Sequence, residues 1–386
     1  MPIDEKYRPF ATERQWECYA AVQEHGGVVA AAQALGVQHS AVSRRVQEMK
    51  AKAAKAGYSP DHDMIHPVPE GYRAKGVSTL YGEDGQVKAQ WVKSQLDPTI
   101  DAIRAVLDAA CEDVPRVKPS KPPPPVQSEL CNAYIITDYH LGMLSWHEET
   151  GDDWNLDIAE RMLVDWFSAS IAAAPPGQVA IFAQLGDFLH WDGMEAVTPA
   201  SKHILDADTR FQKLVRVAIR VIRQILDMLL QKYPTVRVLM ADANHDPASG
   251  VWLREMLAAM YENEPRIEVD QSADTYYCYE WGLTSLFFHH GHKKKLSQIV
   301  DVFVAKFREI FGRTKYSYAH TGHLHHKEVK ETNQMTVEQH QTLAAKDAYA
   351  SRGGWLADRS AQVITYHKRH GEVARLRITP EMLDAA

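Results

Sequence analysis

No run of apolar residues in this 386-residue chain is long enough to span a bilayer. The amino terminus, MPIDEKYRPF, carries acids where a secretory signal needs an apolar segment, so a cytoplasmic protein is expected. Cysteine is scarce. Cys18, Cys111, Cys131 and Cys278 are the only four and none forms a CxxC pair, which argues against a thiolate zinc site or a disulfide framework and leaves buried thiols. A net positive charge is also missing: at −7, any contact with DNA has to come from local basic surface. There is no internal repeat and no membrane-active amphipathic stretch. The remaining composition, 45% hydrophobic and 24% charged, is that of an ordinary folded protein, and the length fits two or three units.

Histidine is what the chain has in excess. Seven of its 19 histidines (His289, His290, His292, His320, His323, His325 and His326) fall within 38 residues, and imidazole is the commonest metal ligand.

Residues 115–125, PRVKPSKPPPP, mark the clearest boundary, because repeated proline removes backbone donors and favours an extended spacer. The expected organisation is a small helical domain over residues 1–114, a linker over 115–127 and a larger domain over 128–386. In the first, helical spacing covers residues 12–25, 30–35 and 40–54, with Gly36 interrupting. Residues 77–93 place GEDG between two alternating segments, the pattern of a hairpin, and residues 99–111 read as a final helix. Beyond the linker, β-branched apolar runs at 133–137, 179–185, 236–240, 283–288 and 316–319 alternate with helical patterns at 158–173, 206–231, 250–261 and 296–311, as in an α/β domain.

Each of these five strands ends in a polar cluster, and ligands gather at the carboxyl ends of strands in open α/β sheets. The clusters are Asp138 with His140, Gly186 with Asp187, Asn244 with His245 and Asp246, His289 to His292, and Gly322 to His325. A single DxH or GD more often marks a turn or a cap. Five in order after five strands is a different matter. Carboxylate, amide oxygen and imidazole without thiolate suit two divalent ions, Mn(II) first and Fe, Zn or Ni as alternatives, arranged to clamp an in-line displacement at phosphorus.

In these motifs the segment after the linker resembles the calcineurin-like metallophosphoesterase family. The resemblance implies a sandwich of two packed β-sheets flanked by helices and a hydroxide activated by two metals. It further implies that Asp138, His140, Asp187 and His325 hold the first ion, and Asp187, Asn244, His290 and His323 the second, with Asp187 as bridge. His245 then acts on the phosphoryl group and Asp246 orients it. Three features depart from the family pattern. Ala243 stands where a glycine is usual, and His190 stands where protein phosphatases of the family have aspartate, which is more similar to the SbcD-type nuclease branch. The third is the pair His289 and His290, of which His290, directly before glycine, is the ligand.

Residues 26–49, GGVVAAAQALGVQHSAVSRRVQEM, put small alanines on one helix, a glycine turn and a helix opening at serine, which lets two helices cross closely as in a helix-turn-helix. The segment resembles the DNA-binding module of LysR-type regulators. That resemblance implies that Gln38, His39, Ser40, Ser43 and Arg44 face the major groove, with Arg45 near phosphates. From Gly36 to Gly57 there are five basic residues against one acid. The hairpin at 77–93, with Lys88, Trp91 and Lys93 along it, fits a wing and equally fits an element that only packs against the larger domain. Together the modules point to a metal-dependent phosphodiesterase, foremost a DNA nuclease. The alternatives are a phosphatase or small-molecule phosphodiesterase, or a DNA-binding regulator with a non-catalytic phosphoesterase domain.

Overall fold

The computed structural model describes residues 3–62, 64–68, 72–82, 87–96, 119–121, 123 and 126–384. The chain separates into two compact units, Met1–Ile100 and Asp101–Ala386. The expected helix at 99–111, the tip of the GEDG turn, Cys111 and most of the proline-rich segment lie outside the described residues.

In the first unit three helices follow one another: α1 (Glu13–Glu24), α2 (Val28–Ala34) and α3 (His39–Lys55). Thr12 opens α1 with a capping box shared with Gln15, which satisfies two backbone N–H groups that a helix start leaves unpaired. Gly36 between α2 and α3 has φ +64°, a left-handed turn that costs glycine little. Small residues let the helices close on one another: Cys18, Ala21, Ala31, Ala32 and Val42 form one core, and Tyr7, Tyr19, Met49, Ala53 and Tyr58 a second. A short ladder pairs β1 (Tyr58–Ser59) with β2 (Met64–Ile65). The expected hairpin is present and longer than its sequence pattern, β3 (Tyr72–Tyr81) pairing antiparallel with β4 (Val87–Leu96). Trp91 and Lys93 share one face of β4, whereas Lys88 falls at a register shift between the pairs Leu80–Ala89 and Tyr81–Val87.

The second unit contains two packed β-sheets with helices against their outer faces, the architecture expected. One sheet has the order β15–β14–β5–β6–β7–β8, built from β5 (Gln127–Ile136), β6 (Gly177–Gln184), β7 (Thr235–Met240), β8 (Ile267–Val269), β14 (Ala361–His367) and β15 (Gly371–Ile378). The other has the order β12–β13–β11–β10–β9, from β9 (Tyr277–Trp281), β10 (Thr284–Phe288), β11 (Tyr316–Thr321), β12 (Glu328–Glu331) and β13 (Thr336–Gln339). The pairs β5–β6, β6–β7 and β10–β11 are parallel, so their carboxyl ends point the same way within each sheet.

Alternation along β5 shows how the layers form. Cys131, Ala133 and Ile135 face the second sheet, whereas Tyr134 and Ile136 face the helices. The helical layer is α5 (Leu156–Ala173), α6 (Phe211–Lys232) and α7 (Pro247–Met260), after the single turn α4 (His147–Thr150). Asn155 caps α5 by accepting from Ile158 N–H at 2.8 Å, and Pro175–Pro176 stops the chain from continuing it. On the far side, α8 (Leu296–Lys306) and α9 (Arg308–Arg313) cover the second sheet through Phe287, Ile299, Phe303 and Val337.

Strands β8, β9 and β12 to β15 were not expected. In β14 two polar residues interrupt the apolar pattern: Gln362 bonds Glu338 and Arg375, and Thr365 bonds Asn132 at 2.7 Å. Cys18 and Cys131 are buried and Cys278 is half-buried, all free thiols. Among the described residues no helix is long and apolar enough to cross a membrane.

Candidate metal centre

The five turns after β5, β6, β7, β10 and β11 converge. Asp138, Asp187, His290 and His323 bring ligand atoms within 4.8 Å of one another, and so do Asp138, His140 and His325. Asn244 joins the first set, its Oδ1 2.9 Å from His290 Nε2. All seven residues expected as metal ligands therefore meet at one place. By these distances Asp138 is common to both sets, whereas Asp187, expected as the shared carboxylate, falls in the first only.

The backbone is bent to achieve this. Six non-glycine residues among those described have positive φ, and five of them are Asp138, His140, Asp187, His323 and His325, at 48–77°. Such a conformation costs an ordinary L-residue about 1–2 kcal/mol and is tolerated best by Asn, Asp and His. Two glycines make room. A Cβ on Gly322 would collide with Thr137 Oγ1 and Asp138 Oδ2, and one on Gly186 would come within 2.6 Å of His290 Nδ1. Ala243 is not among the positive-φ residues, so nothing there requires glycine.

Hydrogen bonds orient each donor atom. Asp138 Oδ2 accepts from Thr137 Oγ1 at 2.5 Å and from His323 N–H at 2.7 Å. Its other oxygen, Oδ1, is buried without a hydrogen-bond partner and lies 3.3 Å from His325 Nε2. Asp187 Oδ1 accepts from the N–H groups of Asn244 and His245 at 3.0 and 2.8 Å, and Oδ2 lies 3.1 Å from His290 Nε2. His290 Nδ1–H donates to the Leu185 carbonyl at 2.8 Å, which fixes the tautomer and leaves Nε2 facing the carboxylates. His140 Nε2 is 3.4 Å from His325 Nε2. A buried carboxylate oxygen with no donor, next to imidazole nitrogens that cannot all donate, fits a divalent cation, and the O/N donor set suits Mn, Fe or Zn.

His245 sits at the edge of this cluster, its ring 4.7 Å from that of His140. Its Nδ1–H donates to the His190 carbonyl at 2.9 Å, leaving Nε2 for whatever enters the site. Asp246 does not orient it: that carboxylate is buried and accepts from Leu189 N–H at 2.8 Å, pinning the β6 loop. The start of α7 is held instead by Asp192, whose oxygens accept from Ala248 and Ser249 N–H at 2.6 and 2.8 Å. Sequence reasoning missed the positioning role of His190, whose carbonyl holds His245 and whose Nδ1 lies 3.2 Å from His140 Nδ1. A backbone carbonyl leaves no residue-type signal to find. His289 stacks on Tyr276 at 4.5 Å, away from the cluster, and His326 is exposed. His320 is buried outside the two ligand sets. It bonds His340 and Tyr366, near a Glu338 whose two oxygens are both taken by Arg375.

In the first unit Gln38, His39, Ser40 and Arg44 are exposed at the start of α3 and Ser43 is half-buried, as a recognition helix requires. Arg44 Nε reaches Glu48 at 3.8 Å. Arg45, expected near phosphate, instead leans on Cys18 Sγ at 3.9 Å.

Residues 14–54 match the family model "Bacterial regulatory helix-turn-helix protein, lysR family". Among solved structures, the chain is similar to an archaeal phosphodiesterase at 14% identity, with 64% of this chain and 98% of that one covered and a TM-score of 0.32. A dimetal phosphatase from Danio rerio is 8% identical, with 65% and 98% covered and a TM-score of 0.32. Zinc-bound Vps29 from Entamoeba histolytica is 11% identical, with 65% and 99% covered and a TM-score of 0.28. No curated protein matches in sequence.

The electrostatics of the cluster give a testable consequence. Burial alone would lower the pKa of His290, but the Asp187 and Asp138 carboxylates overcome it and raise the group to about 9. Burial likewise opposes protonation of His325, and Asp138 raises it. Both carboxylates are held low, their burial outweighed by neighbouring imidazoles, and are already ionised at neutral pH. A cation binding near pH 7 therefore displaces up to two protons, from His290 and His325. Apparent affinity for Mn(II) should rise with pH, about tenfold per proton per unit, and flatten above about pH 9. Titration calorimetry in buffers of different ionisation enthalpy reads the proton count directly, and a pH-independent affinity between 6 and 8 would contradict this charge assignment.

Proposed function

We propose that this chain is a two-metal phosphodiesterase acting on DNA, with the amino-terminal module bringing it to its substrate. The observation that carries the reading is the left-handed backbone at five of the candidate ligands, because such strain is maintained where function demands the geometry. Asp138, His140 and His325 would hold the first ion, and Asp187, although it groups by distance with the other set, is assigned as the carboxylate that reaches both. Asp187, Asn244, His290 and His323 hold the second. Mn(II) is the leading assignment, and a pair of such ions supplies charge stabilisation at phosphorus and a nucleophile at neutral pH.

The chain's own groups do the rest. Asp138 and Asp187 are fixed by backbone N–H donors, so little reorganisation follows when substrate arrives. His245, held through Nδ1 by the His190 carbonyl, turns Nε2 toward the cavity at the cluster, where it can donate to a phosphoryl oxygen or to the leaving group. The exposed start of α3 supports duplex recognition, and Arg44, exposed and only 3.8 Å from Glu48 in a solvent-facing pair, is the cation on that surface assigned to a base or phosphate contact. Attachment to DNA through such a module is consistent with a cytoplasmic enzyme.

The wild-type chain with Mn(II) should hydrolyse bis-p-nitrophenyl phosphate and DNA, and His245→Ala should lower kcat by about 10²–10⁴-fold. Metal content by atomic emission should stay that of wild type. A variant that lost an ion would mean His245 is a ligand and the role assignment is inverted. Activity on the monoester alone would replace the diesterase reading with that of a phosphatase.

Arg44→Ala should weaken binding to duplex DNA and make the slope of log K against log salt shallower by about one. Fluorescence anisotropy over a salt series measures both. An unchanged slope would make the helical unit a protein-interaction module.

A further inference from the structure

Two depressions open beside the metal centre. The larger, about 800 Å³, has His140, Asp187, Asn244, His245, His323 and His325 at one side. Leu324, Tyr349, Trp355 and Leu356, which are 57, 74, 55 and 72% exposed, also line it, together with the charged Lys346, Asp347, Asp358 and Arg359. The smaller, about 580 Å³, is lined by Lys293, Lys294, Lys295 and Lys330 together with Glu328. His292, which lines the basic depression, has its ring 5.2 Å from that of His290. Leu324 is shared by both.

The apolar part of this lining is built rather than accidental. The helical turn α10 (Ala348–Gly353) is capped by Asp347, which accepts from Ala350 N–H at 2.7 Å. Gly354, at φ +73°, reverses the chain, and Trp355 N–H returns to the Ala350 carbonyl at 3.1 Å. Ser351 and Arg352 tie the turn to Glu149 at 2.8 and 2.6 Å. The result sets the Tyr349 and Trp355 rings 5.2 Å apart at 58°, the Trp355 ring lying against Gly353, while both residues stay largely exposed. Exposed contiguous apolar surface of this kind marks a binding site.

The ligand follows from continuity. A phosphoryl group at the metal centre would share one depression with the Tyr349–Trp355 pair, and the lysine-lined depression adjoins it at Leu324. A flat π-faced group joined to a polyanion meets both demands, and that is a nucleotide within a strand. An acyl chain would use the apolar lining but not the lysine row. In intact duplex the bases are paired and stacked inside and cannot reach Trp355.

We infer that the substrate presents unpaired nucleotides at the centre, as single-stranded DNA or a frayed end. One base stacks on the Tyr349–Trp355 pair and neighbouring phosphates follow Lys293, Lys294, Lys295 and Lys330. The inference rests on the phosphodiesterase reading above and adds the substrate class to it.

The test is equilibrium binding of fluorescein-labelled tetrathymidylate to the full chain in EDTA, where no cleavage intervenes and the strand is too short to form a duplex site. Trp355→Ala should weaken binding by roughly 5- to 150-fold, the range for losing one stacked base, and Trp355→Phe should restore most of it. An abasic tetramer should bind wild type and Trp355→Ala alike. Unlabelled thymidine monophosphate should compete better than octyl phosphate. Equal affinity of wild type and Trp355→Ala for the thymidylate, an equal loss on the abasic strand, or better competition by octyl phosphate would each overturn the inference. If the chain hydrolyses bis-p-nitrophenyl phosphate with Mn(II) while any of these occurs, the substrate assignment fails and the phosphodiesterase reading stands. If no diester is cleaved with any metal, that reading fails whatever the binding result.

Discussion

A carboxylate buried with one oxygen left unsatisfied organises the second unit. Asp138 Oδ2 is fully engaged by Thr137 and by the His323 backbone, while the buried Oδ1 makes no hydrogen bond and has only the His325 imidazole beside it, Nε2 at 3.3 Å. Such a group is costly to bury unless a cation or charged partner offsets it. The surroundings are arranged to supply that offset from outside the chain. Two sheets bring five turns to one end, glycine at 186 and 322 lets them touch, and five residues accept left-handed backbone so that their side chains point at a common centre. At about 1 kcal/mol each, those conformations together cost on the order of 5 kcal/mol, a large share of the roughly 5–15 kcal/mol that stabilises a domain. Cation binding returns stability to a fold that has spent it on geometry.

Both units were legible in the sequence to the extent that their signals were local. Helix spacing and the Gly36 turn marked the three-helix unit. Runs of Val, Ile and Phe ending in Asp, His or Asn marked the strands that carry the ligands, because β5, β6 and β10 are buried throughout their second halves and mostly apolar there. Strands without chemistry at their ends were harder to find. β14 hides its buried Gln362 and Thr365 in a polar network with Asn132, Glu338 and Arg375, partners 13 to 233 residues away in sequence. A period-2 pattern cannot register polar groups made buryable by such distant partners.

The centre itself followed the same rule. Residue types identified the seven candidate ligands, since imidazole and carboxylate announce themselves. The groups that aim them did not, being backbone: the Leu185 and His190 carbonyls and the N–H groups of Asn244, His245 and His323. Asp246 is the instructive case. Its place beside His245 in sequence suggested a partner, but at the start of α7 successive side chains diverge, and it reaches the β6 loop instead. The pairing of Tyr349 with Trp355 left no sequence signal, because their tilted contact depends on the Gly354 reversal at the end of α10.

The account stands on the centre holding two divalent ions close enough to share ligands. Electron paramagnetic resonance of the full chain titrated with Mn(II) measures this most directly. The prediction is two equivalents bound per chain and, as the second fills, replacement of the isolated-ion spectrum by that of an exchange-coupled pair, as ions about 3.5–4 Å apart give. One bound equivalent, or two with only isolated-ion signals, would contradict it.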